Sequence, residues 1–336
     1  PNVAVEEAIR KVLLFDLTNP VLQNKRCHQY VTEGVDIEYQ TDSGTKADNV
    51  KLIDFDNPEN NEFAVINQFT IIENKNNRRP DLIIYVNGLP LSVIELKNIS
   101  DPNTDIWDAY NQIQTYKKEI PSVFNYNAIV VISDGLNTKV GSLTADKERY
   151  QVWRTIDSEE LAPSSVLSLE VLIQGLFDKK RFLDFVKYFV AFEDKKTSTV
   201  KIIAGYHQFN AVKNAIEKTV TAIQKDKRIG TVWHSTGSGK SFTMVFYAGY
   251  AAQKKELANP TLVVLTDRND LDNQLFGQFS RCIQTLRQTP VQIENRKELR
   301  EKLKVASGGI FFTTIQKFMP ETKGDTFPLL SDRRNI

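Results

Sequence analysis

The 336 residues are 41% hydrophobic and 25% charged, and 43 Lys and Arg stand against 42 Asp and Glu, which excludes a disordered or coiled-coil chain and any overall basic footprint. Two distant cysteines, Cys27 and Cys282, and three histidines give no disulfide framework and no Cys- or His-rich metal centre. No apolar run approaches the roughly 18 residues that a membrane span needs, so the expectation is a soluble cytoplasmic protein, without membrane association, with room for two ordinary domains.

Val5, Ala8, Ile9, Val12 and Leu13 recur at helical spacing within residues 3 to 17, with Glu6 and Glu7 near the start, and predict an amphipathic packing helix. Residues 47 to 57 and 62 to 73 read as strands, with Asp56, Asn57, Pro58 and Glu59 in a turn between them. They lead into RPDLIIYVNGLPLSVIELK, residues 79 to 97. Its runs Leu82 to Val86 and Leu91 to Leu96 are rich in Ile and Val, and Asn87 and Gly88 between them tolerate positive φ, which predicts a hairpin. Folding the hairpin returns Asp81 beside Glu95, and alternation along the strand puts Glu95 and Lys97 on one face. A plain two-residue turn would instead pair Asp81 with Ile94 and leave Glu95 on the opposite face. Convergence of the two carboxylates therefore requires a three-residue turn or a bulge.

These residue types suit magnesium-dependent phosphodiester cleavage. Two carboxylates hold Mg2+ through hard oxygen ligands while leaving positions for a phosphate oxygen and a water. The ion lowers the pKa of that water and offsets transition-state charge, and a lysine can position or deprotonate the nucleophile. The plain alternative is an acidic strand end followed by a solvated lysine. Beyond the hairpin, residues 105 to 119 predict a helix with Gln112 and Tyr116 four apart on one face, suited to a DNA backbone. Asn127 to Ile132 reads as a buried strand ending at Ser133, Asp134 and Gly135. The α-β-β-β-α-β order fits a small mixed-sheet core, and Arg78, Arg79, Lys117 and Lys118 lie close enough in sequence to neutralise phosphates.

Polar, charged and Pro-Ser material over residues 145 to 165 marks a boundary, and Leu167 to Phe192 is apolar at helical spacing. Lys195 to Thr199 is a polar break. The most specific motif follows at residues 231 to 241, TVWHSTGSGKS. A short strand, Thr231 to Trp233, is expected to feed a Gly-rich loop and then a helix starting near Lys240. Backbone N–H groups of Thr236, Gly237, Ser238 and Gly239 at a helix N-terminus cradle phosphates, Lys240 supplies a point charge and Ser241 a magnesium ligand. His234 replaces the first glycine of the G-x-x-x-x-G-K-[ST] pattern.

The combination of Asp81, the Glu95-Leu96-Lys97 triplet and Gln112-x-x-x-Tyr116, upstream of such a loop, resembles the restriction (R) subunit of type I restriction-modification enzymes. The resemblance implies a PD-(D/E)xK-type mixed-sheet nuclease domain over residues 1–155, a helical linker over 156–196, and a RecA-like superfamily 2 helicase lobe with a parallel sheet over 197–336. It makes Asp81, Glu95 and Lys97 the metal-binding and catalytic residues, with Gln112 and Tyr116 acting beside them and Glu6 or Glu7 an accessory candidate. In the motor half, Gly205-Tyr206-His207-Gln208 resembles the adenine-reading Q motif, and Leu262 to Gln274, with Asp267 and Arg268 at the strand end, resembles helicase motif Ia. Gly309 to Phe318 resembles a DNA-contacting strand whose threonines meet phosphates. Asp267 is not the Walker B acid, because Arg268 stands where a glutamate base is needed. The expected function is double-strand DNA cleavage coupled to ATP-driven translocation, with Mg2+ at both sites and with methyltransferase (M) and specificity (S) subunits as partners. An Asp-Glu box is expected just past Ile336, so the chain reads as an N-terminal fragment unable to hydrolyse ATP efficiently. The alternatives are a stand-alone nuclease-helicase, a type III-like restriction subunit, or a non-catalytic DNA-docking fragment.

Overall fold

The hairpin expected at residues 79–97 lies at the centre of a five-stranded mixed sheet in the computed structural model, which describes residues 2–41, 44–98, 105–157, 160–267, 269–320, 326, 327 and 329–336. Arg268 lies outside the described residues. The chain forms two units, one of residues 1–190 and 199–206, the other of residues 191–198 and 207–336.

The first unit begins with α1 (Asn2–Val12) and α2 (Pro20–Glu33). Asn19 caps α2 by accepting from the Val21 and Leu22 amides, and Pro20 starts the helix with its fixed φ. An antiparallel ribbon of β1 (Val35–Thr41) and β2 (Gly44–Val50) follows. The strand expected over residues 47 to 57 ends at Val50. Asp54 explains why: its Oδ1 accepts from the Asp56 and Asn57 amides at 3.1 and 2.9 Å and its Oδ2 from Asn60 at 2.8 Å, a side-chain turn that outcompetes a ladder.

Next come β3 (Phe63–Asn67), a small hairpin of β4 (Ile71–Glu73) and β5 (Asn76–Arg78), then β6 (Leu82–Val86) and β7 (Leu89–Leu96). The helix α3 (Ile106–Glu119) crosses from β7 to β8 (Ile129–Ser133), which runs parallel to β7, and β9 (Thr138–Gly141) completes the order β3-β6-β7-β8-β9. A capping box built from Asp105 and Asp108 fixes the start of α3. Its buried face, Ile106, Ala109, Ile113 and Tyr116, covers Ile83, Val93, Val130 and Ile132 of the sheet. Each such aliphatic side chain withdrawn from water contributes about 1.5–3 kcal/mol before entropy is counted.

The single helical stretch expected from Leu167 to Phe192 is two helices, α4 (Ser168–Gly175) and α5 (Lys179–Tyr188), followed by strand β10 (Val190–Asp194). Asp178 starts α5 anew by accepting from the Arg181 amide at 3.0 Å. Gly175 lies so close to the Thr155 carbonyl that a Cβ there would sit 2.1 Å from its oxygen. Strand β11 (Thr199–Ile203) carries Lys201 into the interior of this unit, where it is 1% exposed. Its ammonium donates to Asn24 Oδ1 at 2.9 Å and to the Asn127 carbonyl, while Asn24 itself donates to the carbonyls of Phe124, Asn125 and Asn127.

The second unit comprises nearly all of β10 and α6 (Tyr206–Ala222), with α7 (Lys240–Gln253), β12 (Leu262–Thr266), α8 (Asn269–Ser280), α9 (Ile283–Leu286), β13 (Val291–Gln292), α10 (Arg296–Lys302) and β14 (Ile310–Thr314). Its parallel sheet has the order β12-β14-β13. Every residue of β14 is buried, as suits a central parallel strand. Ile310 and Phe312 face a core with Val245, Phe279 and Leu286, and Phe311 faces the other way toward Ile293, Leu299 and Leu303. The strand expected at Thr231 to Trp233 does not form, and Val232 and Trp233 are exposed at 54% and 83%. No helix among the described residues is long and apolar enough to cross a membrane.

Candidate active site

The turn between β6 and β7 is the two-residue one, with Asn87 and Gly88 at φ of 50° and 78°, pairing Val86 with Leu89 and Tyr85 with Pro90. The register then shifts, so that Ile84 pairs with Ser92, Ile83 with Val93 and Leu82 with Ile94. Leu91 is the extra residue of a β-bulge. Continued by one position, the shifted register sets Asp81 opposite Glu95. Of the two devices that bring the carboxylates to one face, a three-residue turn or a bulge, the hairpin uses the bulge.

Glu95 lies on the α3 side of the sheet and is 4% exposed. Lys97 Nζ, on the same face, donates to its Oε1 at 3.0 Å, and the Tyr116 hydroxyl donates to its Oε2 at 3.1 Å. The Gln112 side chain lies beside the Tyr116 hydroxyl, one helical turn earlier on α3, and works to lower its pKa. Asp81 Oδ2 accepts from the Leu96 amide at 2.8 Å, tying the carboxylate to the strand that bears Glu95. Asp81, Glu95, Lys97, Gln112 and Tyr116 are thus brought together.

Burial pushes the Glu95 carboxyl above its ordinary range, Lys97 pulls it back, and the negative charge of Asp81 pushes it up again. Burial and then the Glu95 charge push the Tyr116 phenol upward, so that it stays a donor. One ammonium faces two carboxylates. That donor set, hard oxygens with surplus negative charge, fits a divalent cation, and Asp81 and Glu95 are the residues able to hold it.

Other expected contributors lie elsewhere. Glu7 is 3.9 Å from Arg10, and the helix bearing Glu6 and Glu7 packs on β1 and β2 rather than on β7. Arg78 is ion-paired with Glu119 and so is already neutralised. Lys117 is pushed down to about 8 by burial, which makes it a poorer fixed cation than a solvated lysine. Sequence reasoning missed Gln68, whose Nε2 donates to Asp81 Oδ1 at 2.7 Å. Only the β3–β6 register, Asn67 against Leu82, reveals that it faces Asp81.

In the second unit, Gly237 and Gly239 take φ of 85° and 83°, and Gly239 precedes the first residue of α7, Lys240. Thr236 is exposed, Ser238 Oγ donates to the Ser235 carbonyl at 2.7 Å, and Ser241 sits half-buried in the first turn. Lys240 Nζ donates to the carbonyls of His234 and Ser235, both at 3.1 Å. Gln208 is buried beneath this loop, where its amide donates to the Gly239 carbonyl at 3.1 Å and Thr243 Oγ1 at 3.2 Å. Burial, then His207 and Lys240, hold the His234 imidazole below its ordinary value. Asp267 is exposed at the end of β12. Thr313 and Thr314, expected to meet phosphates, are 0% and 4% exposed in the middle strand.

A family model described as the type I restriction enzyme R protein N terminus matches residues 2–149, and one for the SWI2/SNF2 ATPase matches residues 207–336. The chain is 42% identical, along 100% of its length, to the type I restriction enzyme HindI endonuclease subunit of Haemophilus influenzae, covering 32% of that protein. It is 39% identical over 94% of its length to the putative type I restriction enzyme MjaIXP endonuclease subunit of Methanocaldococcus jannaschii, again 32% of that protein. Similarity to the SauCOLORF180P endonuclease subunit of Staphylococcus aureus is 26% over 80% of the chain. The chain thus spans about a third of the length of the curated relatives it matches.

Proposed function

We propose, for a chain that belongs to the R-subunit family of type I restriction enzymes, that its first unit is a PD-(D/E)xK-type nuclease cleaving double-stranded DNA. The observation that carries this reading is the bulge at Leu91, which sets Asp81 opposite Glu95 on the face shared with Lys97 and Tyr116. Asp81 and Glu95 would hold Mg2+, which when bound lowers the pKa of an attacking water and offsets charge on the phosphate. Lys97 supplies a compact positive charge beside Glu95, suited to holding the water or a phosphate oxygen. Tyr116 fixes the orientation of Glu95 from α3 and keeps a donor on its second oxygen, with Gln112 acting beside it.

The second unit binds ATP with Mg2+ through Thr236, Gly237, Ser238, Gly239, Lys240 and Ser241, and Gln208 braces the loop from below. In the whole protein we place this lobe in an ATP-driven translocase that works in the cytoplasm with methyltransferase and specificity subunits and licenses cleavage by the first unit. The test is nicking of supercoiled plasmid with Mg2+, with and without ATP, by wild type, Glu95→Ala and Lys97→Ala, both as this chain and in the assembled enzyme. Wild-type nicking lost in both variants is the expected result. Nicking at wild-type rate by either variant would sink the assignment.

A further inference from the structure

Gln68 stands one residue past β3 and faces Asp81 across the ladder. Its backbone amide donates to the Asp81 carbonyl at 3.0 Å, and its side-chain amide to Asp81 Oδ1 at 2.7 Å. Because the bulged register sets Asp81 opposite Glu95, Gln68, Asp81 and Glu95 form one cross-strand row. The backbone of Gln68 is bent into the left-handed region, φ 51°, which a residue with a Cβ adopts only where its surroundings hold it there. Phe69 next to it meets Tyr85 of β6 edge-on at 6.4 Å, which secures the bend. Gln68 is itself exposed, so core packing does not call for a glutamine here.

The geometry points to Gln68 as a positioning residue for the cation held by Asp81 and Glu95. Its amide on Oδ1 and the Leu96 amide on Oδ2 fix the plane of the Asp81 carboxylate from both sides. Each oxygen accepts one of these bonds and keeps a second lone pair for an ion. The fixed plane spares the ion from ordering a rotating carboxylate on binding. This inference rests on the reading of Asp81 as a metal-holding residue.

Calorimetric titration of Mn2+ into this chain, without nucleotide, compares wild type, Gln68→Gly and Asp81→Ala, with a thermal melt of each. Glycine accepts the positive φ but removes the donor. Gln68→Gly is therefore expected to weaken Mn2+ binding about tenfold while its thermal midpoint stays within about 2 °C of wild type. Unchanged affinity in Gln68→Gly, with binding lost in Asp81→Ala, overturns the positioning role and leaves the nuclease reading intact. Unchanged affinity in both variants overturns the metal-holding role of Asp81 as well. Weaker binding accompanied by a drop in midpoint of more than about 5 °C assigns the effect to folding and also overturns the positioning role.

Discussion

Lys201→Met tests the most deeply buried charge in the first unit. The Lys201 amine is fully buried among neutral acceptors, Asn24 Oδ1 and the Asn127 carbonyl, and burial pushes it down to about 7 from 10.5. The unfolded chain therefore binds this proton more tightly than the folded one. The stability this group contributes is full above its unfolded value and is lost as pH falls toward the folded one. Integrated from about pH 6.5 to about pH 8.5, with the native amine half-titrated near 7, the change is about 2 kcal/mol. The Cys27 thiol beside it is pushed above its ordinary 9.0 by burial and stays out of that window. Methionine removes the titration and adds a pH-independent loss of roughly 1–3 kcal/mol for the acceptors left without this donor. Urea unfolding followed by the fluorescence of Trp107 and Trp153, in both proteins at both pH values, reads the effect. The stability of wild type minus Lys201→Met should rise by about 2 kcal/mol between the two. A gap constant within about 0.5 kcal/mol would refute the argument that a desolvated amine sits there.

Glu95→Gln should reduce Mg2+-dependent plasmid nicking by at least about 100-fold yet raise the thermal midpoint at neutral pH by about 2–4 °C. Because the folded carboxyl titrates above its ordinary range, its ionised form disfavours folding, and the gain should vanish as pH falls below the ordinary carboxylate value; a variant less stable than wild type at pH 7 would contradict this. Gly239→Ala puts a Cβ at φ 83° and 2.9 Å from Gln208 Nε2, so fluorescent ATP analogue binding should fall at least about tenfold. Gly249→Ala drives a Cβ to 2.6 Å from the Thr285 carbonyl where α7 meets α9, and urea unfolding of the second unit should show a loss of about 1–3 kcal/mol with plasmid nicking by the first unit unchanged.

Much of the candidate site is legible in the sequence because its spacing is local. Asp81, Glu95 and Lys97 lie on one hairpin, Gln112 and Tyr116 are a helix turn apart, and strand parity alone required either a three-residue turn or a bulge. Parity could not say that the extra residue is Leu91 rather than a third turn residue. Gln68 was out of reach because its role depends on β3 pairing with β6, a choice of neighbour that no local pattern encodes. The break in Leu167 to Phe192 followed from competition between an apolar helical pattern and Asp178, whose side chain starts a new helix. At Thr231 to Trp233 the β-branched and aromatic residues supply strand propensity, but propensity becomes a strand only with a ladder partner, and these residues have none.

The site also illustrates why its irregularity is carried on regular elements. Glu95 is 4% exposed, and holding a carboxylate there beside Asp81 works against folding, so the arrangement persists only if its supports cannot relax. Those supports come from three directions: the Leu96 amide in the same sheet, Tyr116 from the buried face of α3, and Lys97 two residues along the strand. Beneath them, Ile83, Val93, Val130 and Ile132 are each 0% exposed and lock strands and helix together. A plain hairpin over the same core would bury Ile94 where Glu95 now stands, a more stable surface with no chemistry. The bulge exchanges that stability for a carboxylate pair, and the rigidity of the sheet and α3 around it is what makes the exchange tolerable.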